Sequence, residues 1–84
     1  MTKLVKEQTY NFSHLETFLN EWENRNKLLI VKDKANNATA VMHIFLENFC
    51  GDWKSGDGIL FYSDGEAHSA ESYDEFLLID IVTF

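Results

Sequence analysis

The amino-acid sequence predicts an α+β fold, in which one N-terminal amphipathic helix (about residues 13–25) packs on a mostly antiparallel sheet of four to five strands. Two observations predict this class. Apolar residues recur at helical spacing near the N-terminus, and short β-branched and aromatic runs separated by turn residues follow. With 84 residues, 45% of them apolar, the chain has the size and composition of a single small globular domain spanning 1–84.

The helix is predicted from a start signal and an apolar stripe. The run SHLE at positions 13–16 has the capping-box pattern, in which the Ser13 hydroxyl accepts from the Glu16 amide and the Glu16 side chain reaches back. The stripe that follows consists of Leu15, Phe18, Leu19 and Trp22. A polar run at 24–26 predicts the end of the helix. An aromatic pair could form a binding hot spot, but the continuity of the stripe favours core packing for Trp22.

The first strands are predicted from three short runs. Residues 3–10 mix apolar positions with lysines, which is typical of an exposed edge strand. Residues 28–31 are apolar and partly β-branched, and the polar run 33–37 after them supplies turn chemistry. Residues 39–46 would form the hairpin partner. The alternative is a helix over 37–50, because periodicity alone does not separate the two; we prefer the strand.

The second half predicts a hairpin and a long final strand. Residues 59–62 form the first hairpin strand, an Asp-Gly pair forms the turn, and the chain returns through 67–69. A second capping-box pattern at 72–75 leaves room for only a short turn. The continuous apolar run 76–84 then predicts a central strand that is buried on both faces.

Three polar residues in or beside these runs, Asp80, His43 and Glu47, are candidates for a functional or metal-binding site. Asp80 interrupts the last strand, so it requires a basic partner or a half-exposed position, because a lone buried carboxylate is costly. His43 and Glu47 would be neighbours on a helix but about 13 Å apart on a strand. Two ligands are too few for a metal in either case. We therefore expect no metal site and a packed or partly exposed histidine.

The charge of the chain is concentrated in its second half. Residues 47–84 hold nine acids and one base, a balance of −8, whereas residues 1–46 hold five acids and six bases, a balance of +1; together they give the net charge of −7. A one-signed surface steers oppositely charged partners. This segregation disfavours direct binding of nucleic acid, which needs a basic surface, and indicates a basic protein as partner.

Signatures of catalysis, cofactor binding and membrane insertion are missing from the sequence. The glycine-rich loop 50–58 fits neither a calcium loop nor a phosphate-binding loop, and no local pattern joins a nucleophile to a base. We therefore expect a protein that is not an enzyme and binds no cofactor. The single cysteine, Cys50, forms no intrachain disulfide, and neither a signal peptide nor a membrane-spanning run is present. These features predict a cytoplasmic protein.

The functional hypothesis is a non-enzymatic inhibitor whose acidic face occupies a nucleic-acid-binding site on a basic partner, which we expect to be an enzyme that binds nucleic acid. In size and charge the chain is similar to the small acidic proteins with which phages and plasmids disable restriction, CRISPR or repair enzymes, and to immunity proteins that neutralise nuclease toxins; no motif carries this similarity. The alternative is a small interaction module or homodimer with a solubilising acidic surface. The predicted partner-binding residues are Asp52, Trp53, Asp57, Asp64, Glu66, Glu71, Asp74 and Glu75.

Overall fold

The computed structural model describes residues 2–24, 26–43 and 59–83. In this part of the chain one α-helix packs on one face of an antiparallel sheet, which confirms the predicted α+β class. The helix is α1 (Phe12–Asn20), and a 3-10 turn follows it at Trp22–Asn24. The strands are β1 (Thr9–Asn11), β2 (Lys27–Asp33), β3 (Thr39–His43), β4 (Ile59–Tyr62), β5 (Ala67–Ser69) and β6 (Glu75–Thr83).

The strands are ordered β1-β6-β2-β3-β4-β5 across the sheet, and each neighbouring pair is antiparallel. β2 and β3 form one hairpin and β4 and β5 another, whereas β6 lies between β1 and β2. Six strands are present in the described residues, instead of the predicted four to five. The two strands at the edges, β1 and β5, have only three residues each. The described residues contain no helix with the length and apolar content that crossing a bilayer requires.

The core lies between α1 and one face of the sheet. Along the strands every second side chain points to this face, which gives the alternating burial of β2 and β3. The rings of Phe12 and Phe76 meet edge to face with centroids 6.2 Å apart. The buried apolar side chains are Phe12, Leu15, Phe18, Leu19, Leu29, Val31, Ala40, Met42, Leu60, Phe76 and Leu78.

The helix begins one residue earlier than predicted and is capped by a different side chain. Asn11 is the N-cap, since its side-chain oxygen accepts a hydrogen bond from the His14 amide at 2.9 Å. The Ser13 amide instead donates to the carbonyl of Ser72 at 3.1 Å. The capping box predicted at 13–16 is therefore wrong, because a neighbouring loop satisfies the amide that Glu16 was expected to bind.

The helix also ends earlier than predicted, and this places Trp22 in solvent. The backbone leaves the helical region at Glu21, and the buried Asn24 side chain donates to the Phe18 carbonyl at 3.0 Å. Once the backbone turns there, the spacing of four from Phe18 no longer returns a side chain to the same face. Trp22 is 85% exposed, so its predicted place in the core is wrong.

The chain before β1 differs from the predicted edge strand over 3–10. Glu7 has a left-handed backbone (φ 68°), and the Gln8 amide donates to the Val5 carbonyl at 3.3 Å. This turn delays the strand until Thr9. The edge position itself is confirmed, since β1 is the outermost strand on its side.

Two further strand predictions can be compared with the structure. Strand β3 contradicts the alternative helix over 37–50, although the rest of the predicted strand, from residue 44, lies outside the described residues. β6 is flanked by strands on both sides, as expected, but it is not buried on both faces. Ile79 and Val82 are 39% and 38% exposed. The register shifts opposite Ile30 and Val31, where the bulge places Ile79.

Leu15 and Trp22 give opposite predictions for stability. Leu15→Ala should lower the free energy of unfolding by about 2–5 kcal/mol, because the Leu15 side chain is fully buried between α1 and the sheet. Trp22→Ala should change it by no more than about 0.5 kcal/mol, because the indole is mostly in solvent. Denaturant unfolding of both variants checks this. A loss of several kcal/mol at Trp22 would contradict the helix end described above.

Candidate functional site

Five strand termini meet at one end of the sheet. Asp33, the last residue of β2, pairs with Phe76 near the start of β6, and Asn11 at the end of β1 pairs with Glu75. On the other side, the Ser63 amide after β4 donates to the Thr39 carbonyl at the start of β3. Residues far apart in the sequence are therefore brought to one end, in the order β1, β6, β2, β3 and β4.

This end of the sheet is strongly acidic. Five carboxylates on it are exposed and a sixth, that of Asp33, is buried. The nearest lysines along the chain are Lys32 and Lys34, on β2 and in the turn after it. We call this surface the acidic end, and its carboxylates belong to Asp33, Asp64, Glu66, Glu71, Asp74 and Glu75.

The β4–β5 turn holds two of these carboxylates in solvent. Gly65 has a φ of 92°, which is strained for any residue with a side chain, so glycine suits this position. The Tyr62 amide donates to the Glu66 carbonyl at 2.8 Å, and the Asp64 carboxylate accepts from the Glu66 amide at 3.0 Å. The turn is thus fixed by its own hydrogen bonds, and both acids are exposed.

The turn before β6 places two more acids against the start of α1. The Asp74 carboxylate accepts from the Glu71 amide at 2.9 Å, and the Asp74 carbonyl accepts from the Phe12 amide at 2.7 Å. The amino terminus of a helix carries a partial positive charge that stabilises nearby carboxylates. Tyr73, in the same turn, is 67% exposed. An aromatic side chain therefore stands in solvent beside the acids.

Asp33 anchors the centre of the acidic end. It is 9% exposed, and its two carboxylate oxygens accept from the Tyr62 hydroxyl at 2.7 Å and the Ala35 amide at 2.9 Å. Burial, followed by the hydrogen bond to Asp33 and the charges of Asp33, Asp74 and Asp64, raises the pKa of Tyr62 above its ordinary value. Three carboxylates from three segments thus act on one hydroxyl.

An open cleft of about 350 Å³ lies beside Tyr62. The rings of Tyr62 and His68 have centroids 5.0 Å apart and planes inclined at 56°. The imidazole Nε2 of His68 lies 3.2 Å from a carboxylate oxygen of Glu66. The cleft is lined by Asn36, Ala38, Tyr62, Ser63, Asp64, His68 and Ser69. It therefore combines aromatic, hydroxyl and carboxylate groups.

The structure brings together five of the eight residues predicted to bind a partner. These are Asp64, Glu66, Glu71, Asp74 and Glu75. The other three, Asp52, Trp53 and Asp57, lie outside the described residues.

Asp80 lies apart from the acidic end, further along β6. Its carboxylate is 2.8 Å from the Lys6 ammonium and 43% exposed, which satisfies both conditions set by the sequence. The hydrogen bond from Lys6, with a second from the Ile81 amide, holds the pKa of Asp80 below its ordinary value.

Sequence reasoning missed three residues of this site. Asp33 was assigned to a turn, because nothing local indicates that β2 ends beside the β4–β5 turn. His68 carried a local signal, because its contacts with Tyr62 and Glu66 lie within the β4–β5 hairpin that the Asp-Gly turn predicts. Tyr73 also carried a signal, since it stands inside the acidic run 71–75 of a predicted turn, and it is 67% exposed.

Chemically, this end of the molecule suits recognition of positive charge. Among the described residues, no group of three or more His, Cys, Asp or Glu side chains is arranged to hold a metal ion. Comparison of the chain with protein-family models, with curated proteins and with solved structures found no match. The geometry and charge of the acidic end are therefore the features that indicate a function.

Replacing Tyr62 by phenylalanine tests the anchoring of Asp33. The variant removes the donor at 2.7 Å and leaves a buried carboxylate with less compensation. The free energy of unfolding should fall by about 1–3 kcal/mol. Tyr73→Phe is the matched control, because its mostly exposed ring should give a change within about 0.5 kcal/mol. Equal effects in denaturant unfolding would contradict the role of the Asp33 bond.

The raised pKa of Tyr62 also predicts a dependence on alkaline pH. Above the ordinary value of 10.0, the unfolded chain loses this proton before the folded one does, so stability falls as pH rises. Below that pH the contribution is fully present. The stability advantage of the wild type over Tyr62→Phe should therefore be constant from neutral pH up to 10 and shrink above it. An advantage that persists unchanged at higher pH would contradict the shift.

Proposed function

We propose that the protein is a non-enzymatic inhibitor whose acidic end occupies a basic, nucleic-acid-binding site on another protein. The observation that carries this proposal is the convergence of Asp64, Glu66 and the acids of the 71–75 turn on one end of the sheet. Their carboxylates are exposed, whereas Asp80 is paired with Lys6 elsewhere. A solubilising role needs charge only on the surface and gives no reason for convergence.

The spacing of these charges supports partial mimicry of nucleic acid. Three strand intervals of about 4.8 Å separate the start of β6 from the end of β4, so the acidic end is about 14 Å wide between them. Its five exposed carboxylates amount to about one charge per 3 Å of that width, against one per about 1.7 Å of duplex axis. Lys32 and Lys34 reduce the net charge. The surface therefore has the same sign as a duplex but a lower charge density, so the mimicry is partial.

Two of the exposed carboxylates are also held in place before any partner binds. The carboxylates of Asp64 and Asp74 each accept a hydrogen bond from a main-chain amide within their own turn. Fixed side chains lose less conformational entropy on association than mobile ones do. Tyr73 supplies an exposed aromatic ring between the acids, and tyrosine is enriched among the residues that dominate interface energies. Together these features favour an interface built on the acidic end.

Immunity against a nuclease toxin is a second form of the same proposal. It would use the same carboxylates against the nucleic-acid-binding site of the toxin, so the identity of the captured partner distinguishes the two. In either form we place the activity in the cytoplasm, where a chain with the single cysteine Cys50 needs no disulfide.

The test compares two variants of equal net charge. Variant A carries Asp64→Asn, Glu66→Gln, Asp74→Asn and Glu75→Gln. Its four neutralised acids change the net charge from −7 to −3, and the new amides keep an oxygen that can accept the turn amides. Variant B carries Glu7→Lys and Glu23→Lys, two reversals of exposed acids outside the acidic end, and also reaches −3.

Each immobilised protein is exposed to a lysate of the source cell at low and at high salt, and the captured proteins are identified by mass spectrometry. We expect the wild type and variant B to capture a basic nucleic-acid-binding protein at low salt. Variant A, high salt or added duplex DNA should each abolish capture. Unchanged capture by variant A would exclude the acidic end as the binding site. Capture of only a second copy of this chain would support the homodimer instead.

A further inference from the structure

We propose that the cleft beside Tyr62 receives an arginine side chain of the partner. This inference rests on the proposed function and specifies how the acidic end recognises a basic surface. It goes further by assigning one binding position, and one kind of side chain, within that surface.

The sign of the charge in the cleft favours a cation. Among the described residues that line it there is no lysine or arginine, whereas the acidic Asp64 is one of them. The Glu66 carboxylate lies next to the wall, where it contacts His68. Asp33 lies behind the Tyr62 hydroxyl, which it binds at 2.7 Å. Burial first, and then the charges of Asp33, Asp74 and Asp64, raise the pKa of that hydroxyl, which agrees with a negative region.

The size and lining of the cleft suit the end of one side chain. A volume of about 350 Å³ is near the lower limit for small-ligand sites, so the cleft is too small to enclose a whole cofactor. The tilted rings of Tyr62 and His68 present faces against which a flat group can stack. Ser63 and Ser69 also line the cleft, and a serine hydroxyl can accept hydrogen bonds.

These features distinguish arginine from lysine. The guanidinium group is planar, stacks on aromatic faces and has five hydrogen-bond donors, whereas the lysine ammonium is a compact, strongly hydrated charge. A site with only carboxylates would bind both. The additional ring surface of Tyr62 and the hydroxyl groups of the wall favour the flat cation.

The test uses fluorescently labelled oligo-arginine and oligo-lysine peptides of equal length, with binding measured by fluorescence anisotropy. The wild type should bind the arginine peptide about threefold to tenfold more tightly than the lysine peptide. His68→Ala and Tyr62→Leu should bring this ratio close to one. His68 is exposed, so its variant carries the test alone if Tyr62→Leu fails to fold. Glu71→Gln with Glu75→Gln is the control, which should weaken both peptides equally and keep the ratio.

Each outcome separates this inference from the proposed function. Equal binding of the two peptides would overturn the inference and leave the proposed function standing. An arginine preference that survives both cleft variants would also overturn the inference, because it would arise elsewhere. If neither peptide binds the wild type, the proposed function fails and the inference fails with it. An arginine preference that is lost only in the cleft variants supports both.

Discussion

The pairing of β6 with β2 is the interaction on which the rest of the structure depends. Asp33 pairs with Phe76, 43 positions further along the chain, and the ladder continues to Lys27 and Thr83. Contacts of such separation carry a high cost in loop-closure entropy, which the buried side chains of both strands offset. Because β6 lies between β1 and β2, the 71–75 turn lies against the start of α1, which follows β1, and at the same end of the sheet as the end of β4. The acidic end is therefore a consequence of topology rather than of any local motif.

The six carboxylates of the acidic end repel one another, and the fold contains features that offset this repulsion. The first amides of α1 donate to carbonyl groups of the 71–75 turn, so the positive end of the helix faces the acids. Asp33 is buried, yet both of its oxygens accept hydrogen bonds. The remaining acids stay exposed, where water and salt screen them. Stability and negative surface charge are thus compatible at this end, because the one acid that is buried is also the one that is most fully bonded.

Sequence reasoning succeeded where a feature is local and failed where it is tertiary. The β4–β5 hairpin could be predicted from its Asp-Gly pair, since these two adjacent residues favour the backbone conformation of a tight hairpin turn. The end of the helix did not, because the spacing to Trp22 continues the apolar stripe and only a buried contact of Asn24 shows where the helix stops. The exposed acids of the site could be predicted from charge alone. Asp33 and the cleft required the strand order, which no pattern in the sequence contains.

The shortness of the two edge strands affects how copies of the protein meet in concentrated solution. A free edge exposes unpaired main-chain groups on which another chain can extend the sheet into a fibre. Here β1 and β5 each offer a template of only three residues, and β5 carries the polar His68 and Ser69. Such edges give an incoming strand few hydrogen bonds. Polymerisation through the sheet is therefore disfavoured.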